Sequence, residues 1–134
     1  VEDKVIAYDP DLVIIGFGMN DGSFNTPPIA YKNNIEAMVK KIKAANEETE
    51  IILLGTILPN PEADQFKNQL DLYEPLEELA TEYEGVVSIN LANLDLGFLK
   101  NKRYTEYNAN NINHPNDFMM RCITMAIIST LAEF

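Results

Sequence analysis

The segment that decides the fold reads Asp11-Leu12-Val13-Ile14-Ile15-Gly16. It is a short apolar run, mostly of β-branched residues, behind the turn signal Asp9-Pro10, and this pattern predicts a buried strand. Two similar apolar runs follow, at residues 50–55 and 85–91. Because these runs are continuously apolar and do not alternate, they are typical of a parallel sheet that is covered on both faces.

Helical patterns separate these strands. The first amphipathic helix follows the predicted capping pair Thr26-Pro27 and places apolar residues on one face, at Ile35, Met38, Val39 and Ile42. A long second helix is predicted from Phe66 to Tyr83, and a third begins at Pro115. Residues 92–113 read as a polar, Asn-rich loop. The alternation of strand and helix predicts an α/β fold, and residues 1–134 are expected to form a single domain.

Composition and charge exclude several classes of protein. The 134 residues carry a net charge of -11 and are 46% apolar, which fits a folded domain and disfavours nucleic acid as a partner. No apolar run approaches the ~20 residues of a membrane span. The single cysteine, Cys122, excludes an internal disulfide, and we expect it to be a small core residue. Asp95 and Glu106 lack metal-ligand spacing and are expected on a solvated surface, so we predict no metal and no cofactor.

Two short motifs follow predicted strands, on the side of a parallel sheet where ligands usually bind. The first is Gly18-Met19-Asn20-Asp21, and the second is His114-Pro115, which contains the only histidine of the chain. The glycines of the first motif lack the G-x-G-x-x-G spacing of a dinucleotide site. Each motif alone is equally compatible with a structural role, as a strand-to-helix turn or as a helix-capping loop.

Together, the two motifs resemble those of the SGNH/GDSL hydrolases, a family of serine esterases and lipases. Gly18 to Asp21 matches the G-x-N-D motif of that family, and His114-Pro115 matches its D-x-x-H-P motif, with Asn111 in the position of the aspartate. The resemblance implies a three-layer α/β/α, flavodoxin-like fold. It also implies that His114 is the general base and that Asn20, beside Gly18, contributes to the oxyanion hole.

The resemblance leaves the orientation of the imidazole open. Asn111 can accept one hydrogen bond from the ring, but it cannot offset the charge of an imidazolium. Asn110 and Asn113 are neighbours that could take its place. Tyr104 and Tyr107 could either line a substrate pocket or pack onto the sheet.

The chain departs from the family pattern because it contains no Gly-Asp-Ser nucleophile motif. Neither Ser23, Ser88 nor Ser129 matches a nucleophile position. We therefore expect the C-terminal portion of a longer domain, with an incomplete sheet whose open edge at residues 12–16 invites self-association. The predicted function is a serine esterase for small acyl esters, such as an O-acetylated carbohydrate. The alternative is a non-catalytic binding or interaction module on the same fold.

Overall fold

The fold is built around one parallel sheet. The computed structural model describes residues 1–132. Within them the sheet has three strands, which lie in the order β1-β2-β3: β1 (Leu12–Ile15), β2 (Glu50–Leu54) and β3 (Val86–Ile89). Val13 pairs with Ile51, and Ile51 pairs with Val86. All three predicted strands are confirmed, within slightly narrower bounds.

Helices cover both faces of this sheet. There are five α-helices among the described residues: α1 (Met19–Ser23), α2 (Pro28–Ala45), α3 (Glu74–Glu82), α4 (Leu91–Leu99) and α5 (Asp117–Ala132). Three short 3-10 helices occupy Ile6–Tyr8, Gln69–Leu72 and Tyr104–Glu106. The predicted amphipathic face of α2 is buried at Ile35, Val39 and Ile42 and partly buried at Met38, and Tyr31 extends it. The predicted Thr26 cap is wrong, because α2 begins at Pro28 and has no side-chain cap.

The two faces of the sheet support two separate apolar clusters. On one face, α2 and α3 pack against Ile15, Ile51 and Leu53. On the other face, α4, α5 and the segment around Tyr104 pack against Ile52 and Ile89. Successive residues of β2 therefore pack against opposite helical layers, which explains why residues 51–54 are all apolar. This arrangement is the three-layer α/β/α architecture, with a sheet that is incomplete at three strands.

The predicted helix from Phe66 to Tyr83 is wrong in extent. A 3-10 turn over Gln69–Leu72 precedes the shorter helix α3, which has Pro75 in its first turn. A proline there fits a helix start, because it lacks the N–H that a continuing helix would need. Tyr83 is already extended, and Gly85 then adopts a left-handed φ of 68°.

The prediction of a loop over residues 92–113 is also wrong, because helix α4 occupies Leu91–Leu99. The Asn90 side chain caps this helix by accepting a hydrogen bond from the N–H of Asn93 at 2.9 Å. Leu91 and Asp95, one helical turn apart, are both buried. This helix is mainly apolar, but Asn93, Asp95 and Gly97 interrupt its apolar residues and make its helical pattern in the sequence weaker than that of α2.

Strand β1 is at the edge of the sheet in the part of the chain that the structure describes. The Ile14 side chain, in the middle of this strand, remains 45% exposed. Self-association through this edge stays a prediction. None of the helices in residues 1–132 combines the length and the apolar character that crossing a bilayer requires.

Gly22→Ala is expected to lower the free energy of unfolding by about 1–3 kcal/mol, because a Cβ at this position would overlap the Gln69 side chain. Gln69 cannot easily move away. It is buried, and its Nε2 donates to the Gln65 carbonyl at 2.7 Å and to the Ser23 Oγ at 3.2 Å. Urea unfolding monitored by circular dichroism measures the change.

Gly97→Ala is the matched control for this substitution. Gly97 lies within α4 and a Cβ there would meet no atom within 4 Å, so alanine should add up to about 1 kcal/mol of stability. A Gly22→Ala protein as stable as the parent would show that Gln69 repacks at little cost.

Candidate functional site

A tight turn carries the first predicted motif from the end of β1 into α1. Gly18 is the N-cap of α1 and has a φ of 123°, a region that side chains strongly disfavour. A Cβ on Gly18 would lie 3.2 Å from Thr56 Cγ2 and 3.3 Å from the Tyr31 hydroxyl. Both the backbone angle and the close packing therefore require glycine at this position.

Tyr31 holds this turn from helix α2. Its hydroxyl donates a hydrogen bond to the carbonyl of Phe17 at 3.2 Å. Burial, and then the negative charge of Asp21, raise the pKa of Tyr31 above its usual value, so the hydroxyl remains a donor. The backbone that precedes Asn20 is thus fixed by a buried side chain.

Asn20 itself lies in the first turn of α1, and its side chain is exposed. Its carbonyl accepts a hydrogen bond from the N–H of Phe24 at 2.8 Å. Its carboxamide makes no hydrogen bond with the described residues, so both of its N–H donors are available to a ligand. The neighbouring Asp21 has a structural contact, because its carbonyl accepts from the N–H of Thr26 at 2.8 Å.

The second motif lies on a closed loop between the 3-10 helix Tyr104–Glu106 and α5. Asn108 and Pro115 form an antiparallel bridge at the base of this loop. The N–H of Ala109 donates to the carbonyl of His114 at 2.8 Å. His114 is exposed. It does not cap α5, because Asn116 does so by accepting from the N–H of Met119 at 3.1 Å.

Asn111 faces a different neighbour from the one that the resemblance implies. Its backbone is in the left-handed region, with a φ of 57°. The Nδ2 of Asn60, in the loop that follows β2, donates to the carbonyl of Asn111 at 3.0 Å and to its Oδ1 at 3.3 Å. Among the described residues, no hydrogen bond links Asn111 to the imidazole of His114.

One cavity brings the two motifs together at the carboxyl edge of the sheet. Its volume is about 340 Å³. Asn20 lines it from one side, and Asn113 and Pro115, the two neighbours of His114, line it from the other. The remaining wall combines the ends of β1 and β2 with two polar side chains, Asp21 and Thr56, and with five apolar ones: Met19, Leu54, Ile57, Leu91 and Ile123. His114 is not itself a wall residue, but its loop forms one side of the opening.

Asp95 does not lie on a solvated surface as expected, because it is buried beneath this region with 1% exposure. Its Oδ2 accepts from the N–H of Leu58 at 2.6 Å, and its Oδ1 has no partner among the described residues. Burial raises the pKa of Asp95 to about 7. No cluster of His, Cys, Asp and Glu in residues 1–132 could hold a metal ion.

The aromatic residues of the loop pack onto the sheet. Tyr104 and Tyr107 are both buried in the cluster beneath α5, with ring centroids 5.1 Å apart. Burial, followed by the nearby Asp95, raises the pKa of Tyr107 to about 12. Cys122 packs at the margin of the same cluster, as expected for a small core residue.

None of the three serines is placed as a nucleophile beside His114. The Ser23 hydroxyl donates to the carbonyls of Met19 at 2.9 Å and Gln65 at 3.1 Å. Ser88, on β3, shares a hydrogen bond with the Tyr73 hydroxyl at 3.0 Å. Ser129 lies on α5, beyond the part of the helix that lines the cavity.

Known proteins resemble this chain in both sequence and fold. Residues 2–122 match the GDSL-like Lipase/Acylhydrolase family. A solved structure, provisionally described as a platelet activating factor from Streptococcus pneumonia, superposes with a TM-score of 0.78 at 20% identity. The similarity covers 90% of this chain but only 59% of that one. No curated protein matches significantly. Since the family match spans most of its length, the chain belongs to the GDSL-like lipase/acylhydrolase family.

Proposed function

We propose that this chain provides the base and part of the oxyanion hole of an SGNH-type serine hydrolase that cleaves small acyl esters. The observation that carries the proposal is the shared cavity, which Asn20 lines from one side and the neighbours of His114 from the other. The two motifs lie far apart in the sequence and meet where parallel sheets bind ligands. The chain's membership of the GDSL-like lipase/acylhydrolase family supports the same chemistry.

In this proposal His114 is the general base. Ester cleavage begins when a serine oxygen attacks the carbonyl carbon, and a neutral imidazole accepts the hydroxyl proton. The imidazolium then returns that proton to the alcohol that leaves. His114 is suited to this role because it is exposed and lies on a loop that is fixed at its base. It is also the only histidine in the sequence.

Asn20 and Gly18 provide donors for the oxyanion. Attack on the carbonyl moves negative charge onto its oxygen, and preorganised N–H groups stabilise that charge. The Asn20 carboxamide is free to donate, and Tyr31 holds the preceding backbone in place. Asn111 stabilises the loop by accepting hydrogen bonds from the Asn60 side chain. In this proposal it does not contact the imidazole.

The dimensions of the cavity support a small substrate. A volume of about 340 Å³ is near the lower limit for ligand sites. Its apolar wall suits a short acyl group, whereas the asparagine side chains at its opening suit a polar alcohol. An ester such as an O-acetylated carbohydrate has both properties.

The proposed nucleophile is a serine supplied from outside these 134 residues. This follows from the positions of the three serines, whose contacts are structural or remote from the cavity. The same observation favours the second candidate function, a binding module that retains the cavity without catalysis. The sequence encoded directly before Val1 distinguishes the two, because a strand ending in Gly-Asp-Ser is required only by the hydrolase.

Residues 1–134 alone are expected to hydrolyse p-nitrophenyl acetate no faster than an equal concentration of free imidazole, because His114 has no serine to activate. The longer chain that includes a Gly-Asp-Ser strand should hydrolyse it, and a fluorophosphonate probe should label that serine. The control is Ser23→Ala in residues 1–134. Robust turnover by the short chain that this substitution abolishes would identify Ser23 as the nucleophile. A longer chain that binds acetyl esters without hydrolysis would support the binding module.

A further inference from the structure

The orientation of His114 depends on the backbone of its loop. Among the described residues, the imidazole makes no hydrogen bond, and neither Asn111 nor a carboxylate holds it. The main-chain groups of His114 are held on both sides. Its carbonyl accepts from the N–H of Ala109 at 2.8 Å, and its own N–H donates to Asn110 Oδ1 at 3.0 Å. These hydrogen bonds therefore fix the position and direction of the Cα–Cβ bond from which the imidazole projects.

Asn110 is the centre of that loop. Its single Oδ1 accepts hydrogen bonds from three successive backbone N–H groups: Ile112 at 3.0 Å, Asn113 at 2.9 Å and His114 at 3.0 Å. These donors belong to an exposed segment that has no regular secondary structure. One carboxamide oxygen thus accepts the hydrogen bonds that backbone carbonyls would accept in a strand or a helix.

Asn110 is itself connected to the buried core. Its N–H donates to Asn108 Oδ1 at 3.2 Å, and the Nδ2 of Asn108 donates to the Tyr104 hydroxyl at 2.7 Å. The single proton of that hydroxyl is shared between the carbonyls of Leu58 at 3.1 Å and Ile112 at 3.0 Å. Both Asn108 and Tyr104 are buried. A continuous set of hydrogen bonds therefore leads from the core to the backbone of His114.

We infer that Asn110 is the positioning residue of His114, and that its carboxamide oxygen fixes the backbone from which the imidazole projects. Asn110 acts on the main chain and not on the ring. This inference rests on the proposed function, since a base must be held within a fraction of an ångström to take a proton efficiently. It also explains how an asparagine is accommodated at position 111, where its side chain is occupied by Asn60.

The kinetic test uses the hydrolase that contains this chain and its nucleophile. Asn110→Ala should lower kcat for p-nitrophenyl acetate by about 10- to 100-fold and raise KM by less, because Asn113 is the one wall residue that Asn110 holds, whereas the walls formed by α1 and the strand ends keep their contacts. Asn110→Asp should retain kcat within about threefold, since a carboxylate oxygen accepts the same three hydrogen bonds and only the long hydrogen bond from Asn110 Nδ2 to Asn113 Oδ1, at 3.3 Å, is lost. Asn101→Ala is the matched control, because Asn101 is exposed and lies outside the cavity.

Amide hydrogen exchange on residues 1–134 provides a readout that is independent of catalysis. Asn110→Ala should remove protection from the N–H groups of Ile112, Asn113 and His114, and Asn110→Asp should retain it. Protection that is unchanged in Asn110→Ala would overturn the inference, as would lost protection with kcat unchanged. If the parent enzyme shows no esterase activity, the proposed function fails, whereas the exchange result still decides whether Asn110 fixes the His114 backbone.

Discussion

Asp95→Asn is expected to stabilise the protein by about 4 kcal/mol at about pH 8 and to change its stability little near pH 3. Burial raises the pKa of the Asp95 carboxyl from 3.8 to about 7, and the hydrogen bond from the Leu58 N–H offsets this only in part. The difference between these pKa values corresponds to about 4 kcal/mol. Asparagine keeps an acceptor for Leu58 and carries no charge to bury.

The sign of the pH dependence follows from the raised pKa. Because the folded state disfavours the ionised carboxylate, Asp95 contributes its full stability below the unfolded pKa of 3.8 and loses it as the pH rises through about 7. Tyr104 and Tyr107, the titratable groups nearest to it, have raised pKa values and remain neutral in this range. The gain from Asp95→Asn should therefore appear between about pH 4 and pH 7.

Urea denaturation of parent and variant at matched pH values measures this gain. Asp64→Asn is the control, because it changes the net charge equally at an exposed position. A variant that is destabilised at every pH would indicate that the fold pairs the Asp95 carboxylate with a donor when it ionises.

His114→Ala is expected to lower kcat of the serine hydrolase for p-nitrophenyl acetate by about a thousandfold or more. Without the imidazole a carboxylate such as that of Asp21, in the cavity wall, is a much weaker base, so mainly substrate binding and the oxyanion donors continue to accelerate the reaction. Asn20→Ala should cost about 100- to 1000-fold, the usual effect of removing one oxyanion donor.

The control for Asn20→Ala is Asn34→Ala, on the exposed surface of α2. Circular dichroism of each variant establishes that it is folded. If Asn20→Ala retains full activity while His114→Ala is inactive, the base is assigned correctly but the oxyanion donor must lie elsewhere. Full activity in His114→Ala would refute the proposed mechanism.

The strands could be predicted because each is a continuous apolar run. The α2 helix could be predicted because the spacing of its apolar residues determines which face is buried. The region around α4 could not be predicted in this way. Asp95 looks like a surface residue in the sequence, and only the tertiary structure shows that it points to the backbone of Leu58. Likewise, no local pattern indicates that the Gln69 side chain lies against Gly22.

The candidate site was predictable in its position but not in its internal contacts. Asn20 follows the end of β1, whereas α4 and the 3-10 helix Tyr104–Glu106 separate the His114 loop from β3, so the pairing of the two motifs rested on the family resemblance. The contact of Asn60 with Asn111 joins residues that are 51 positions apart, and it involves a loop in which the sequence signals only turns. The family motif directed attention to Asn111, whereas the hydrogen bonds converge on the oxygen of Asn110.

The strand order of the sheet also bears on how the chain folds. Each strand lies beside the strand that follows it in the sequence, so none has to be inserted between two strands that are already paired. The unit from β1 to β2 can therefore form during synthesis, before β3 leaves the ribosome, and β3 then adds to the exposed side of β2. Adding strands to one side of the sheet keeps the sequence separation between paired strands short, although every pairing is parallel and requires a crossover.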